Sequence, residues 1–212
     1  MGRVVYSDLK FVRILGCDIR YLRTGSGPLL VLLHTLRTQL EYFRPLMLAL
    51  GAPYDILVPD LPGHGLSTAP AVEYDAAYFT DVIEGFLAAC DVRDAVVVGE
   101  SIGGSIALAL AARRNPRVAR VVAINPYDYG WGGGIRRSST LAKILFTAML
   151  WPVIGEFVLA TGTKGILRKI MEGGMDDPRN ISADLIDELL ASGSLPVIQL
   201  FQFRTRERNA RV

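Results

Sequence analysis

The 212-residue chain carries 23 Lys and Arg against 21 Asp and Glu, is half hydrophobic and holds 21 glycines. A chain of this length and apolar content can bury a full core, which excludes intrinsic disorder and points to one globular domain. The formal charge of +2 comes with both signs interspersed, so no clustered basic face and no nucleic-acid partner are expected. Cys17 and Cys90 form no CxxC pair and have no metal-ligand spacing with His34 and His64, the two histidines. That argues against zinc and against a disulfide framework, and no metal or cofactor is expected.

Met1 to Lys10 contains no apolar run of signal-peptide length, so a cytoplasmic location is expected. The initial Met-Gly is not read as a myristoylation site, because Tyr6 stands where that motif wants Ser or Thr. Phe11 to Leu15 and Ile19 to Thr24 flank a Gly16-Cys17-Asp18 turn and read as an antiparallel hairpin. Leu29 to Leu33 is a short continuous apolar run, suited to a strand buried on both faces. Gln39 to Leu50 has apolar residues at helical spacing, Asp55 to Pro59 returns to strand, and Ala76 to Cys90 is an amphipathic helix. Ala95 to Gly99 is the next strand, Ile102 to Arg114 a helix ended by Asn115-Pro116, and Val118 to Ile124 a strand closed by Asn125-Pro126. The predicted order is a β-hairpin followed by βαβαβαβ, an α/β class with a mostly parallel sheet.

From Tyr127 onward the texture changes to glycine-rich turns and apolar helices, with Pro196 to Phe203 as a weak further strand candidate. Ile144 to Thr163 approaches the roughly 20 residues of a membrane span. Pro152, Gly155 and Glu156 interrupt it at the centre, so it is read as buried or substrate-facing helices, and no membrane partner is expected. Trp151, Phe146, Phe157 and Met149 are read as packing. The expected organisation is a core over residues 1–126, a helical lid over 127–203 and a basic tail over 204–212.

The chemistry-bearing motif is Gly99-Glu100-Ser101-Ile102-Gly103, a GxSxG pattern between a strand and a helix. Such an elbow holds its serine in a strained backbone conformation, and only small residues two places either side let the neighbouring backbones approach closely. Gly99 and Gly103 meet that need. The turn aims the Ser101 hydroxyl outward at a helix N-terminus, where the Ile102 N–H faces any developing oxyanion. Upstream, Leu32-Leu33-His34-Thr35-Leu36 ends the first parallel strand, and Asp60-Leu61-Pro62-Gly63-His64-Gly65-Leu66-Ser67 ends the second.

These three segments, in this order and spacing, resemble the α/β-hydrolase superfamily, in particular its lipase, esterase and epoxide-hydrolase-like branch with a helical lid. The resemblance runs from about Tyr21 to Pro126. It implies an α/β-hydrolase fold, Ser101 as nucleophile, and Ile102 and Leu36 as donors of the two oxyanion N–H groups. Thr35 stands where the family usually has glycine, a change that could narrow the hole or add a hydroxyl donor. In the family pattern neither His34 nor His64 is the base; both organise loops, and Asp60 is structural. The implied reaction is acyl-enzyme hydrolysis of an ester or related carbonyl in a small apolar substrate. A serine at the elbow disfavours the epoxide and haloalkane branches, which use Asp there.

In this fold the triad runs Ser, then Asp or Glu, then His, and no histidine follows Ser101. The sequence therefore reads as truncated before its last catalytic strands, with Asp128 as a stand-in acid. Loss of the histidine from a comparable triad costs on the order of a millionfold in turnover, so intrinsic activity near zero is expected. A non-catalytic binding protein with the same fold is the rival reading. The tail from Arg204 to Arg211, with four Arg in eight residues, fits either a solvated end or a frame-shifted reading of a longer gene. Val118 to Ile124, apolar and without further strands beside it, is expected to self-associate through an exposed sheet edge.

Overall fold

The computed structural model describes residues 9–36, 38–50, 53–72 and 74–127, together with Gly165, Arg168, Glu172, Ala183, Ile186 and Asp187. The chain divides into two compact units, Met1–Tyr127 and Asp128–Val212. Apart from Tyr127 and those six residues, the predicted lid lies outside the described residues, as do its aromatic residues, the Ile144 to Thr163 segment, the Pro196 to Phe203 strand candidate, Asp128 and the basic tail.

The first unit holds six strands and three α-helices among the described residues: β1 (Lys10–Ile14), β2 (Cys17–Thr24), β3 (Leu29–Leu33), α1 (Arg44–Leu50), β4 (Asp55–Pro59), α2 (Ala76–Ala89), β5 (Ala95–Glu100), α3 (Ile102–Ala112) and β6 (Val118–Ile124). They form one sheet in the order β1-β2-β4-β3-β5-β6. The β1–β2 and β2–β4 pairs are antiparallel; the others are parallel. This is the α/β-hydrolase arrangement the sequence predicts, a mostly parallel sheet with an N-terminal antiparallel hairpin.

Two local expectations shift. The hairpin turn is Leu15-Gly16, with Ile14 paired to Cys17, one residue earlier than the Gly16-Cys17-Asp18 reading. Both turn residues have positive φ, 48° and 80°, the two-residue geometry that matches the right-handed twist of the flanking strands. The single helix expected over Gln39 to Leu50 is instead a 3₁₀ turn, Leu40–Phe43, followed by α1. Pro45, which has no N–H to donate, stands in the first turn of α1, where no intrahelical bond is lost.

α2 buries Phe79, Val82, Ile83, Phe86 and Leu87, the i, i+3, i+4, i+7, i+8 stripe of a helix lying on a sheet. Its N-terminus is capped by Asp75, whose carboxylate accepts the Tyr78 N–H at 2.7 Å. On the sheet's other side Leu22, Leu32, Leu40, Phe43, Met47, Ile56 and Val58 form a buried cluster. β6 pairs with β5 alone among the described residues, and its Val122 and Ile124 are exposed. In the second unit Arg168 and Glu172 form an ion pair at 2.9 Å one helical turn apart, and Ile186 is buried.

The strand order places the site. From β3 the chain steps to β4 on one side, while β5 lies on the other. Loops leaving the carboxyl ends of β3 and β5 therefore diverge, and the crevice at such a switch point is where open α/β sheets bind ligands. The His34-Thr35-Leu36 loop and the Ser101 elbow leave those two strand ends.

Candidate active site

The elbow has the geometry its sequence requires. Ser101, between the end of β5 and the start of α3, has φ 52° and ψ −114°, a backbone conformation rare for an L-residue. Such strain costs of order 1–3 kcal/mol and persists where its surroundings fix it. Here they do. A Cβ at Gly99 would collide with the Gly103 carbonyl, and a Cβ at Gly103 would collide with the Leu33 carbonyl and stand 2.9 Å from that of His34. The Ser101 N–H donates to Ile124 O at 3.0 Å. Its carbonyl accepts from the amides of Ser105, at 3.0 Å, and Tyr127, at 3.1 Å, which brings the chain leaving β6 back onto the elbow. The Ser105 hydroxyl completes the tie by donating to Tyr127 O at 2.6 Å.

Ile102 is the first residue of α3, so its N–H has no intrahelical acceptor and lies at the positive end of the helix dipole. Gly103 packs against the Leu33–His34 backbone, so the elbow and the loop leading to Leu36 are neighbours. Thr35 is not among the residues with positive φ, so no glycine conformation is needed at that position and a side chain is tolerated.

His34 is fully buried. Its Nε2 accepts the Leu61 N–H at 2.9 Å, which leaves the ring proton on Nδ1, where it donates to Thr35 O at 2.8 Å. Burial pushes its pKa down to about 4. His64 is 3% exposed and donates from Nδ1 to Pro62 O at 2.9 Å; its Nε2 has no partner among the described residues. Burial, then the neighbouring His34, lowers its pKa to about 3. The two rings lie 5.2 Å apart between centroids, and Phe79 covers His64 at 6.4 Å. Both are neutral imidazoles whose bonds hold loops.

Asp60, also fully buried, accepts from Arg20 Nε at 2.5 Å, from Leu40 N at 2.8 Å and from Leu66 N at 2.9 Å. Arg20 in turn reaches Glu41 through both terminal nitrogens, at 3.0 and 2.9 Å. This Asp60–Arg20–Glu41 array ties β2, the 3₁₀ turn and the Gly63–Ser67 loop together behind the site. Gly65, with φ 52°, lies so close to the Asp60 carboxylate that a Cβ there would collide with it. Sequence reasoning did not find Arg20 or Glu41. Ile19 and Arg20 are buried in succession, so strand alternation gives no sign that the arginine points inward. Also unforeseen is Tyr42, whose hydroxyl hydrogen-bonds Glu100; burial, then that carboxylate, raises its pKa.

A strained serine between β5 and α3, with glycines two residues either side and a His-led loop beside it, is the arrangement of one large family. The model of the α/β hydrolase fold matches residues 28–139. The chain belongs to the α/β-hydrolase family. A 2-(acetamidomethylene)succinate hydrolase from Mesorhizobium japonicum is 35% identical over 105 residues, 50% of this chain and 38% of that protein. A haloalkane dehalogenase from the same organism is 29% identical over 177 residues, 78% of this chain and 56% of that one. Among solved structures, Cfl2 from Burkholderia cenocepacia superposes with a TM-score of 0.77 at 20% identity, covering 96% of this chain and 72% of its own. The chain thus spans about half the length, or less, of these two curated relatives.

Among the described residues no group of three or more His, Cys, Asp or Glu is placed to hold a metal ion. No helix of the described residues is long and apolar enough to cross a membrane.

Proposed function

We propose that this chain carries the nucleophile half of a serine hydrolase that acts on an ester or related carbonyl of a small apolar substrate through an acyl-enzyme. The observation that carries the reading is the backbone of Ser101, held at positive φ by glycine contacts that a Cβ at Gly99 or Gly103 would destroy. That strain serves to project a hydroxyl from a helix N-terminus. Ser101 Oγ attacks the carbonyl carbon, its proton departs with the leaving group as the bond to that group breaks, and water then attacks the acyl carbon, releasing the acid and returning a proton to Ser101 Oγ. Ile102 and Leu36 donate N–H groups to the oxyanion of each tetrahedral intermediate. The name of the Mesorhizobium hydrolase supports the general class, and serine in place of Asp at the elbow favours carbonyl over haloalkane chemistry.

A second reading, a binding protein that keeps the fold without turnover, is favoured by one observation. Both histidines of the 212 residues are buried and committed to loop contacts. The two readings are separated by fluorophosphonate labelling of the chain with and without added imidazole as an external base. Hydrolase ancestry of the site predicts labelling that imidazole accelerates and that Ser101→Ala abolishes. Equal labelling of Ser101→Ala would remove Ser101 from the site, and no labelling under either condition would favour the binding protein.

A further inference from the structure

Three donors converge on one carbonyl at the head of the loop that follows β3. Thr35 O accepts from His34 Nδ1 at 2.8 Å, from the Thr38 hydroxyl at 2.8 Å and from the Thr38 N–H at 3.3 Å. Thr38 Oγ1 also lies 3.2 Å from His34 Nδ1. The proton positions follow from the partners. Because the Leu61 amide donates into Nε2, the ring's single proton sits on Nδ1 and is shared between Thr35 O and Thr38 Oγ1. The Thr38 hydroxyl then has its own proton free to pass to Thr35 O. A ring N–H, a hydroxyl and a carbonyl thus form a closed triangle, with each polar group satisfied by another.

No peptide bond among the described residues is cis. In a trans peptide the C=O and the following N–H point in opposite directions. Fixing Thr35 O therefore fixes the direction of the Leu36 N–H, and that peptide cannot rotate without breaking three hydrogen bonds. Loop peptides that lack such anchors can flip, and a flipped peptide would present a carbonyl where an oxyanion needs a donor.

We propose that Thr38 is a positioning residue which, together with His34, locks the Thr35–Leu36 peptide so that the Leu36 N–H stands as a preset oxyanion donor. The proposal rests on the serine-hydrolase reading of Ser101 and deepens it. It assigns the hydroxyl at position 38 a role in the site.

The test compares Thr38→Val, which keeps the shape and loses the hydroxyl, with Thr38→Ser, which keeps the donor. Two readouts are taken on the 212-residue chain: the ¹⁵N order parameter of the Leu36 amide, and fluorophosphonate labelling of Ser101 resolved into an initial binding constant and a maximal rate. In Thr38→Val the order parameter should drop from the rigid-backbone value of about 0.85 towards 0.6 or below. The maximal labelling rate should fall by about tenfold or more, with the initial binding constant unchanged. Thr38→Ser should restore both. The proposal is overturned if Thr38→Val keeps a rigid Leu36 amide, if it labels at the wild-type rate, or if Thr38→Ser is as impaired as Thr38→Val. Should the wild type fail to label while Thr38→Val still loosens Leu36, the lock is supported and the serine-hydrolase reading alone falls.

Discussion

The two buried histidines should make the protein acid-labile well above the pH at which carboxylates titrate. In the unfolded chain each imidazole has a pKa of 6.5; in the folded protein burial lowers them to about 4 for His34 and about 3 for His64. The folded-state values are depressed, so stability is complete above pH 6.5 and is lost as pH falls through 6.5 towards the folded values. At pH 5 the unfolded state has taken up nearly one proton per histidine while the folded state has taken up almost none. Each histidine then costs about 2 kcal/mol, and the pair about 4 kcal/mol, relative to pH 8. The figure at pH 5 hardly depends on how far below 5 the folded values lie. Against a total stability of about 5–15 kcal/mol this loss is large. Urea unfolding followed by far-ultraviolet circular dichroism at fixed ionic strength, from pH 8 to pH 5, measures it. His34→Asn and His64→Asn should each reduce proton uptake on unfolding near pH 5 from about two protons to about one, whatever their baseline stability. The reasoning fails if the wild type is as stable at pH 5 as at pH 8, or if neither variant changes the slope.

Gly103→Ala should destabilise by about 3 kcal/mol or more, because the new Cβ meets the Leu33 carbonyl, a backbone atom of a central strand that has no room to move; thermal denaturation reads the loss. Arg20→Met leaves the Asp60 and Glu41 carboxylates without the cation that joins them, and should cost about 3–5 kcal/mol in urea unfolding. Sedimentation of the 212-residue chain should show self-association through β6 that Val122→Lys reduces; a wild-type monomer at micromolar concentration would remove the edge from the argument.

Much of the fold was legible because its signals are local. Asp55–Pro59 and Val118–Ile124 are bounded as the hydrophobic runs and Asn-Pro stops predict, and the elbow was legible because Gly99, Ser101 and Gly103 meet a backbone requirement that few other residues satisfy. The roles of His34 and His64 as loop holders, expected from the family pattern, agree with their hydrogen bonds. The split of Gln39 to Leu50 into a 3₁₀ turn and a short helix was not legible. There Leu40 N is drawn to Asp60 and Glu41 to Arg20, and neither partner is near in sequence.

By itself, then, the sequence determined the strand and helix order, the place of the strained serine and the family, because each depends on periodicity or on the small residues of one short turn. Only the tertiary structure decided which charged groups are buried, which nitrogen of His34 holds its proton, and that the Thr35 carbonyl is gripped by three donors. The physical reason for the buried charges and the His34 proton is that each is fixed by a hydrogen bond or ion pair to a group whose position exists only after the sheet has assembled, whereas the Thr35 carbonyl is held by its sequence neighbours His34 and Thr38 in a turn that no periodicity announces. Leu61 reaches His34 across 27 residues, and Asp60 reaches Arg20 across 40.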